Sequence, residues 1–317
     1  MLERRRKLRY TSTVIRGLIK SMRPHQWVKN ALVAAPMFFH KDLFFTAPDG
    51  APALNLVVSL RAMAAVAVFC LLAGAVYLIN DLADVEGDRA HPVKRFRPIA
   101  SGDVPEGAAK GAAAVLVILS LSGALLLDPR FFGVAFVYFA QNLLYTFKLK
   151  KIAFVDVSLI ALGFVLRVLA GGYATHTVVS SYMIGCVALL ALFLGFGKRR
   201  HEIGQEDAAK QRSVLSGYSV AKLDAAMAVT GLATVAVYTL YTLDESTRAF
   251  FHSDYLWVTV PFTALGMGRF LMLVSGRARP EAESPTQAML TDVPMVLVVV
   301  GWLVTVISLV YRLRPAG

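Results

Sequence analysis

Cysteine is scarce in this chain, with two among 317 residues. Cys70 and Cys186 cannot supply a disulfide framework or a metal site built from thiolates, so both are excluded. Each lies in an uncharged apolar run, where we interpret it as a small buried hydrophobic residue. The sequence also lacks a Gly-x-Ser-x-Gly elbow, a Walker phosphate loop and a nucleophile–base pair, so it gives no support to a covalent mechanism.

Charge is sparse as well, because 17% of the residues are charged and 56% are hydrophobic, with a mean hydropathy of +0.58. Uncharged runs of about 17–25 residues can cross a bilayer as helices. Such runs are Ala62–Ile79, Gly111–Leu127, Phe131–Phe147, Val178–Gly197, Ala225–Leu243 and Val293–Val310, with weaker candidates at Asn30–Phe45, Ile152–Ala174 and Tyr255–Ser275. The sequence therefore predicts an all-α polytopic membrane protein with about nine transmembrane helices.

The first 25 residues differ from the rest in being strongly basic. Apolar side chains recur there at helical spacing, opposite Arg16 and Lys20, at Val14, Leu18 and Met22. This pattern favours an amphipathic helix on the membrane surface, and a disordered basic tail is the alternative. We find no secretory apolar region and expect no cleaved signal peptide. Residues 26–317 are expected to form a single transmembrane catalytic domain.

The basic residues divide unequally between the two faces of the membrane. With about nine spans, 25 of the 33 lysines and arginines fall on the side of the N terminus and six on the opposite side. The positive-inside rule then predicts a cytoplasmic N terminus and an external C terminus. Because these charges are spread over membrane-side loops, the net charge of +12 indicates contact with anionic lipid rather than with nucleic acid.

One short segment, Asn80–Pro98, contains four carboxylates followed by four lysines and arginines. Carboxylates bind divalent cations, and cationic side chains bind phosphate oxygens, so this order suits a metal-bridged polyphosphate. If the preceding helix continues, its first polar side chains fall within an arc of about 100° and point to one place. Those side chains, Asn80, Asp81, Asp84 and Asp88, are candidate Mg²⁺ ligands. A solvated, charged helix end is the alternative.

Basic side chains in two loops are candidate phosphate ligands. Lys94, Arg95 and Arg97 follow the acids directly, which favours a phosphate clamp over the alternative that they only satisfy the positive-inside rule. The run Lys198–Arg200 ends the sixth predicted span, where a basic triplet is ordinarily a topology anchor. Nearby Glu202 could bind a second metal or a hydroxyl group.

Two charges lie inside a predicted span, where charges are costly and usually pair or line a cavity. Asp156 and Arg167 are about three turns apart on one helix face, which is too far for direct pairing. We expect both to point into one polar cavity. Gln141, Asn142 and Tyr145 add polar groups near the end of the preceding span, and His91 and His201 are candidate contacts without metal-ligand spacing.

At this point the chain resembles a family. Asn80-Asp81-x-x-Asp84-x-x-x-Asp88 after the second span is similar to the motif of UbiA-type intramembrane prenyltransferases. The string from Asp84 to Gly102, DVEGDRAHPVKRFRPIASG, resembles more specifically the decaprenyl-phosphate phosphoribosyltransferase branch. Further similar segments are Met22–Asn30, Tyr145–Lys151 with Asp156, Gly163–Gly172, Gly197–Glu202 and Asp292-x-Pro294.

The resemblance implies a helical bundle around a central cavity, in which Asp81, Asp84 and Asp88 are catalytic and bind Mg²⁺ and a diphosphate. The segment Lys198–Glu202 departs from the family, because typical members carry a second aspartate-rich motif there. Cations in that place suit a donor and an acceptor that both carry phosphate. The branch implies transfer of 5-phosphoribose from phosphoribosyl pyrophosphate to a polyprenyl (decaprenyl) monophosphate, for arabinan in bacterial cell walls.

The implied enzyme is a multi-pass pentosyltransferase of the bacterial inner membrane with a cytoplasmic active site. Lys29 and Lys148 would complete its cationic wall, and Tyr145, Asp156 and Arg167 would contact substrate. The acceptor phosphate is already anionic, so no general base is required. Whether the protein forms a homo-oligomer is left open.

Two alternative functions remain at this stage. A conventional prenyltransferase would move a chain from a polyprenyl diphosphate onto an aromatic ring, but it predicts a second aspartate cluster. A polytopic transporter predicts broken helices and a charged site near the midplane. A third class, the CDP-alcohol phosphotransferases, lacks support because the Gly-Arg context of its motif is missing.

Overall fold

The structure is a computed structural model that describes residues 2–46, 52–203, 213–275 and 291–310. Its contacts divide the chain into two compact units. Unit 1 comprises Met1–Leu149 and Leu166–Val179, and unit 2 comprises Lys150–Val165 and Ser180–Gly317. One of the boundaries, between Val165 and Leu166, falls within the helix Val155–Thr175. The expectation of a single catalytic domain after residue 25 stays a prediction.

Helices dominate the described residues. The α-helices are α1 (Leu2–Ser21), α2 (Ala35–Phe39), α3 (Leu56–Ala83), α4 (Val85–Ala90), α5 (Glu106–Leu127), α6 (Pro129–Phe147), α7 (Val155–Thr175), α8 (Ser181–Ile203), α9 (Val220–Leu243), α10 (Glu245–Phe251), α11 (Val260–Val274) and α12 (Val293–Val310). Short 3₁₀ helices are Pro24–Ala34, Lys94–Phe96, Leu149–Lys151, Ser213–Gly217 and Leu256–Thr259. Strands β1 (Phe44–Thr46) and β2 (Pro52–Leu54) form an antiparallel hairpin.

Seven helical segments of the described residues are long and apolar enough to cross a membrane. They are Leu56–Ala83, Glu106–Leu127, Val155–Thr175, Ser181–Ile203, Val220–Leu243, Leu256–Val274 and Val293–Val310. The predicted run Phe131–Phe147 also lies within one helix, α6. The prediction of an all-α polytopic fold is confirmed, and the count of nine is approximate.

The predicted span Asn30–Phe45 is not one long helix. It consists of the end of the 3₁₀ helix Pro24–Ala34, the short α2, a turn and the start of β1. The physical reason is local, because Pro36 cannot donate to a continuous helix and Lys41 adopts a left-handed φ of 60°.

This part of the chain nevertheless lies along the whole length of α3 and contacts it at both ends and in the middle. Arg23 bonds to Asp81 near the end of α3, and the amide of Asn30 reaches Cys70 in its middle. The carbonyl of Leu43 accepts from the backbone N–H of Asn55, the residue that caps the start of α3. The chain therefore runs antiparallel to α3 here, as the topology requires, but as an irregular segment.

A glycine permits the close packing of this segment in unit 1. A Cβ on Gly171 of α7 would lie 1.8 Å from the carbonyl oxygen of Val33. Only glycine allows the two backbones to approach so closely. Around this contact lies a buried apolar cluster that includes Phe69, Phe131 and Tyr138.

The N-terminal helix α1 has the helical conformation that its spacing predicts. Gly17 lies against Val104, and Leu18 and Met22 pack on the apolar cluster around Leu78. The face that was expected to meet lipid therefore meets protein in its last turns. Ile15 and Ile19, each about half exposed, lie on the outer side, and contact with the membrane surface stays a prediction.

Unit 2 has its own core, formed where α8, α9 and α11 pack together. Phe193 of α8 packs against Phe270 of α11 in a tilted arrangement with 5.1 Å between the ring centroids, and both are fully buried. The side chain of Ser219 caps α9 by accepting from the backbone N–H of Lys222. This core fixes the end of α8, where the second group of charged candidates lies.

Candidate active site

The end of α3 places two buried carboxylates in unit 1. Asp81 and Asp88 are 3% and 4% exposed. Buried carboxylates are costly unless cations or hydrogen-bond donors compensate them. Asn80, between the apolar part of α3 and these acids, instead accepts a short hydrogen bond from the hydroxyl of Thr146 on α6.

Two arginines compensate the carboxylates. Arg97 donates through one nitrogen to Asp88 at 2.6 Å and to Asp81 at 3.3 Å. Arg23 donates to the same oxygen of Asp81 at 2.5 Å and lies over the ring of Tyr77, 4.9 Å from its centroid. Both guanidinium groups are about 30% exposed, so they connect the buried acids to the surface.

The expected one-sided arc of four oxygen ligands is present only in part. α3 ends at Ala83, and Asp84 (φ −100°) joins it to the short α4. Backbone bonds from Asp84 to Asn80 and from Asp88 to Asp84 keep the turn nearly helical. Asp81 and Asp88 therefore meet at one guanidinium, whereas the Asn80 side chain is bound to Thr146.

A divalent cation fits the oxygen set at this place. Among the described residues, there is no group of three or more His, Cys, Asp or Glu side chains arranged to hold a metal ion. Mg²⁺ at phosphate sites, however, usually needs only one or two carboxylates, with water and phosphate oxygens completing the shell. Asp81 and Asp88 accept from the same Arg97 nitrogen, so one oxygen of each carboxylate faces the same cationic group.

The loop after α4 presents the predicted phosphate ligands. The ring nitrogen Nδ1 of His91 accepts from the backbone N–H groups of Val93 and Lys94, at 3.2 and 3.3 Å, which shapes the loop start. Arg95 is exposed and stacks on Phe96, with 4.8 Å to the ring centroid. The loop thus directs Arg97 to the acids and leaves Arg95 at the surface.

Arg167 lies deeper in unit 1 and is 9% exposed. It donates to Asn30 at 2.8 Å and to the hydroxyl of Tyr138 at 2.9 Å, and it lies over the Tyr138 ring. The Asn30 amide in turn donates to the sulfur of Cys70. The predicted cationic side chain is therefore part of a buried polar network.

Unit 2 contains a second charged network. Asp156 and Arg199 are 0% and 1% exposed and pair at 2.7 Å. Arg199 also bonds to Glu202 at 2.6 Å, and Asp156 accepts from the Tyr218 hydroxyl at 2.5 Å. Burial, and then the neighbouring carboxylate, raises the pKa of Tyr218, so its hydroxyl keeps its proton.

The remaining predicted residues lie nearer the surface. Lys29, Lys148 and Lys198 are exposed, and Tyr145 is half-buried. Arg200 pairs with Asp224 at 2.8 Å. Exposed lysines of this kind lie where a polyanion can reach them, whereas the buried Arg199 is already held by two carboxylates.

Four partners of these charges were missed by the sequence-based prediction, namely Arg23, Asn30, Tyr138 and Tyr218. Arg23 and Asn30 lie in the segment Met22–Asn30, which resembles the family, but no pattern in the neighbouring sequence links them to Asp81 or Arg167. Asp156 gave the only signal for Tyr218, since a buried carboxylate requires donors from elsewhere in the fold.

Comparison with known proteins identifies the family of the chain. The model of the UbiA prenyltransferase family matches residues 33–291. The chain therefore belongs to the UbiA prenyltransferase family, and the prediction that it is a transferase of this family is confirmed.

Relatives place the chain near one branch. It is 36% identical over 299 residues to the decaprenyl-phosphate phosphoribosyltransferase of Mycobacterium tuberculosis, covering 93% of this chain and 94% of that protein. It is 34% identical to the enzyme of the same name from Corynebacterium glutamicum, covering 93% and 87%. The predicted resemblance to this branch is confirmed.

Solved structures share the fold. A UbiA homologue from Archaeoglobus fulgidus, bound to DMAPP and Mg²⁺, has a TM-score of 0.67 at 15% identity, covering 93% of this chain and 99% of that one. A digeranylgeranylglyceryl phosphate synthase has a TM-score of 0.60 at 18% identity, covering 94% and 98%.

Proposed function

We propose that this enzyme transfers 5-phosphoribose from phosphoribosyl pyrophosphate to a polyprenyl monophosphate and releases diphosphate. The observation that carries the proposal is the pairing of the buried Asp81 and Asp88 with Arg97 and Arg23. Acids and cations at the end of one membrane helix suit a diphosphate with its metal. The names of the mycobacterial and corynebacterial relatives support the same donor and acceptor classes.

The reaction needs little acid–base chemistry from the protein. An oxygen of the acceptor phosphate forms a bond to the anomeric carbon of the ribose. The bond from that carbon to the diphosphate oxygen breaks, and its electron pair leaves with the diphosphate. Because the attacking oxygen is already anionic, the enzyme contributes alignment and charge stabilisation rather than a general base.

Asp81 and Asp88, with Asp84 beside them, would hold Mg²⁺, which supplies positive charge to the leaving diphosphate when bound. Arg97 and Arg23 then lie where they can turn from the carboxylates to phosphate oxygens. Lys94 and Arg95, on the same loop as Arg97, extend this cationic surface. These groups bind and orient the donor from unit 1.

In unit 2, the exposed Lys198 and the partly exposed Arg200 are the cations that we assign to phosphate binding. Arg199 has a positioning role, because its two carboxylate partners and its burial keep it from the surface. It holds the end of α8, which carries Lys198 and Arg200.

The active site is assigned to the cytoplasmic side of the bacterial inner membrane. The excess of lysine and arginine on the side of the acidic segment supports this orientation. A cytoplasmic site also suits a soluble phosphorylated sugar donor and a lipid phosphate at the membrane surface.

The test is a transfer assay with purified protein in detergent, Mg²⁺, polyprenyl phosphate and phosphoribosyl pyrophosphate labelled in the ribose. We expect label in the organic phase, its loss with EDTA, and release of one diphosphate for each label transferred. Asp88→Asn should lower turnover at least about tenfold, because it removes a charge from the metal and phosphate site.

Protein that transfers no label but consumes a prenyl diphosphate with an aromatic acceptor would overturn the proposal in favour of a conventional prenyltransferase. Arg200→Met is the matched unit 2 variant. It should raise KM for a phosphorylated substrate more than it lowers kcat, because it removes binding charge and no reacting group.

A further inference from the structure

Four buried side-chain polar atoms in unit 1 have no hydrogen-bond partner among the described residues. Besides the hydroxyls of Ser21 and Ser59, two remain. One is the carbonyl oxygen Oε1 of Gln141, whose residue is 8% exposed, and the other is the indole N–H of Trp27. Buried polar groups are almost always paired, so an unpaired one calls for an explanation. A bound ligand is one such explanation.

Gln141 lies in the middle of a polar stripe on α6. Tyr138, Gln141 and Tyr145 are spaced so that their side chains fall within an arc of about 60° on one helix face. Tyr138 bonds to Arg167 at one end of the stripe. Thr146, next to Tyr145, bonds to Asn80 beside the acidic cluster at the other end.

The position of Gln141 along the helix bundle follows from these contacts. α6 and α3 run in parallel, since Tyr138 lies 5.1 Å from Phe69 and Thr146 bonds to Asn80. Five residues separate Gln141 from Thr146, which corresponds to a rise of about 7 Å. Gln141 therefore lies about one and a half turns toward the membrane interior from the layer of Asp81.

Trp27 lies between the same two layers. It follows Arg23, which bonds to Asp81, and precedes Asn30, which bonds to Arg167. An unpaired acceptor and an unpaired donor thus lie between the level of Asp81, where we place the diphosphate, and the level of Arg167 with its hydrogen-bond partners. A hydroxyl group both donates and accepts, so it complements this pair.

An ionised phosphate has no proton to donate to the Gln141 carbonyl oxygen, whereas a hydroxyl group can donate to that oxygen and can also accept from the amide N–H groups. Within the proposed donor, the groups next to the diphosphate that can donate are the ribose 2- and 3-hydroxyls. The geometry points to Gln141 as the residue that accepts a hydrogen bond from a ribose hydroxyl of phosphoribosyl pyrophosphate, and so selects the sugar. This inference rests on the proposed function.

The test compares phosphoribosyl pyrophosphate with its 2-deoxy and 3-deoxy analogues, in full-length protein with Mg²⁺ and polyprenyl phosphate. Wild-type enzyme should prefer the natural donor over one deoxy donor. Gln141→Met keeps the volume but removes the acceptor. It should lower kcat/KM about tenfold for the natural donor and little for that deoxy donor, so their ratio falls by the same factor.

Asn142→Leu is the matched control, because Asn142 bonds back to the Tyr138 carbonyl and should change all donors equally. If Gln141→Met does not fold, Gln141→Asn keeps the amide and withdraws the acceptor by one carbon, so the ratio should still fall. An unchanged ratio for both deoxy donors in the folded variant would overturn the inference. Wild-type protein that transfers no ribose at all would instead refute the proposed function.

Discussion

Asp156 and Arg199 are the most deeply buried charged side chains among the described residues. Removing one partner of such a pair leaves the other charge buried without compensation. Asp156→Leu should therefore lower the free energy of unfolding by about 3–5 kcal/mol, whereas Asp156→Leu with Arg199→Met should recover part of that loss. Thermal unfolding in detergent measures both.

Arg200→Asn is the control for these Asp156 and Arg199 variants, because it removes an exposed ion pair in which the partner Asp224 is 55% exposed. Surface pairs contribute about 0–1 kcal/mol, so this variant should unfold close to wild type. If Asp156→Leu also unfolds like wild type, the buried network does not hold the end of α8 as we infer.

The guanidinium group of Arg97 compensates the negative charge of the two buried carboxylates of unit 1, Asp81 and Asp88. A bound metal ion would compensate the same charge. In Arg97→Met, Asp81 and Asp88 repel each other more strongly, and a cation that binds them stabilises the folded state. Added Mg²⁺ should then raise the unfolding temperature by a few °C more than in wild type, at about 2–4 °C per kcal/mol.

Arg95→Met provides the control for the metal prediction, since Arg95 stacks on Phe96 at the surface of the same loop. Its response to Mg²⁺ should match that of wild type. An equal response from Arg97→Met would mean that Asp81 and Asp88 do not bind the ion together.

At the scale of elements, the irregular segment that precedes α3 depends on one close approach to α7. Gly171→Ala would bring a Cβ to 1.8 Å from the Val33 carbonyl oxygen, so the segment must shift. We expect a loss of about 1–3 kcal/mol and a lower unfolding temperature. Gly133→Ala in α6, which meets no atom within 4 Å, should be neutral or slightly stabilising. Similar unfolding temperatures for the two variants would argue against this packing.

The long helices could be predicted from the sequence because their signal is local. Val293–Val310 has the same bounds as the predicted run, since an uncharged stretch of that length has few alternatives in a membrane. The prediction of one helix over Asn30–Phe45 was wrong, because Pro36 and the left-handed Lys41 interrupt it locally. The path that the segment then takes depends on contacts with α3 and α7 that are distant in sequence.

The same distinction applies to the candidate site. The acidic motif and the basic loop could be found by spacing, but their pairing could not. Asp81 takes Arg23 as a partner across 58 positions, and Asp156 takes Tyr218 across 62. Such choices are made by tertiary packing, which no local pattern encodes.

At the scale of the whole molecule, orientation in the membrane can be tested with thiol reagents that cannot cross it. Gly87 in α4 and Arg130 at the start of α6 are both exposed and lie on either side of a single span, α5. We replace Cys70 and Cys186 with alanine and introduce Gly87→Cys or Arg130→Cys. The positive-inside bias predicts that intact cells label Arg130→Cys only, and that permeabilised cells label both.

Labelling of Gly87→Cys in intact cells would place the acidic cluster outside and remove the cytosolic donor from its reach. Labelling of neither position until permeabilisation would mean that α5 does not span the membrane. The proposed donor is a soluble phosphorylated sugar of the cytoplasm, and the proposed acceptor is a lipid phosphate at the membrane surface. Asp81, Asp88 and Arg97 can bind both only if they lie on the cytoplasmic face. The proposed transfer therefore depends on this topology as strictly as on the carboxylates themselves.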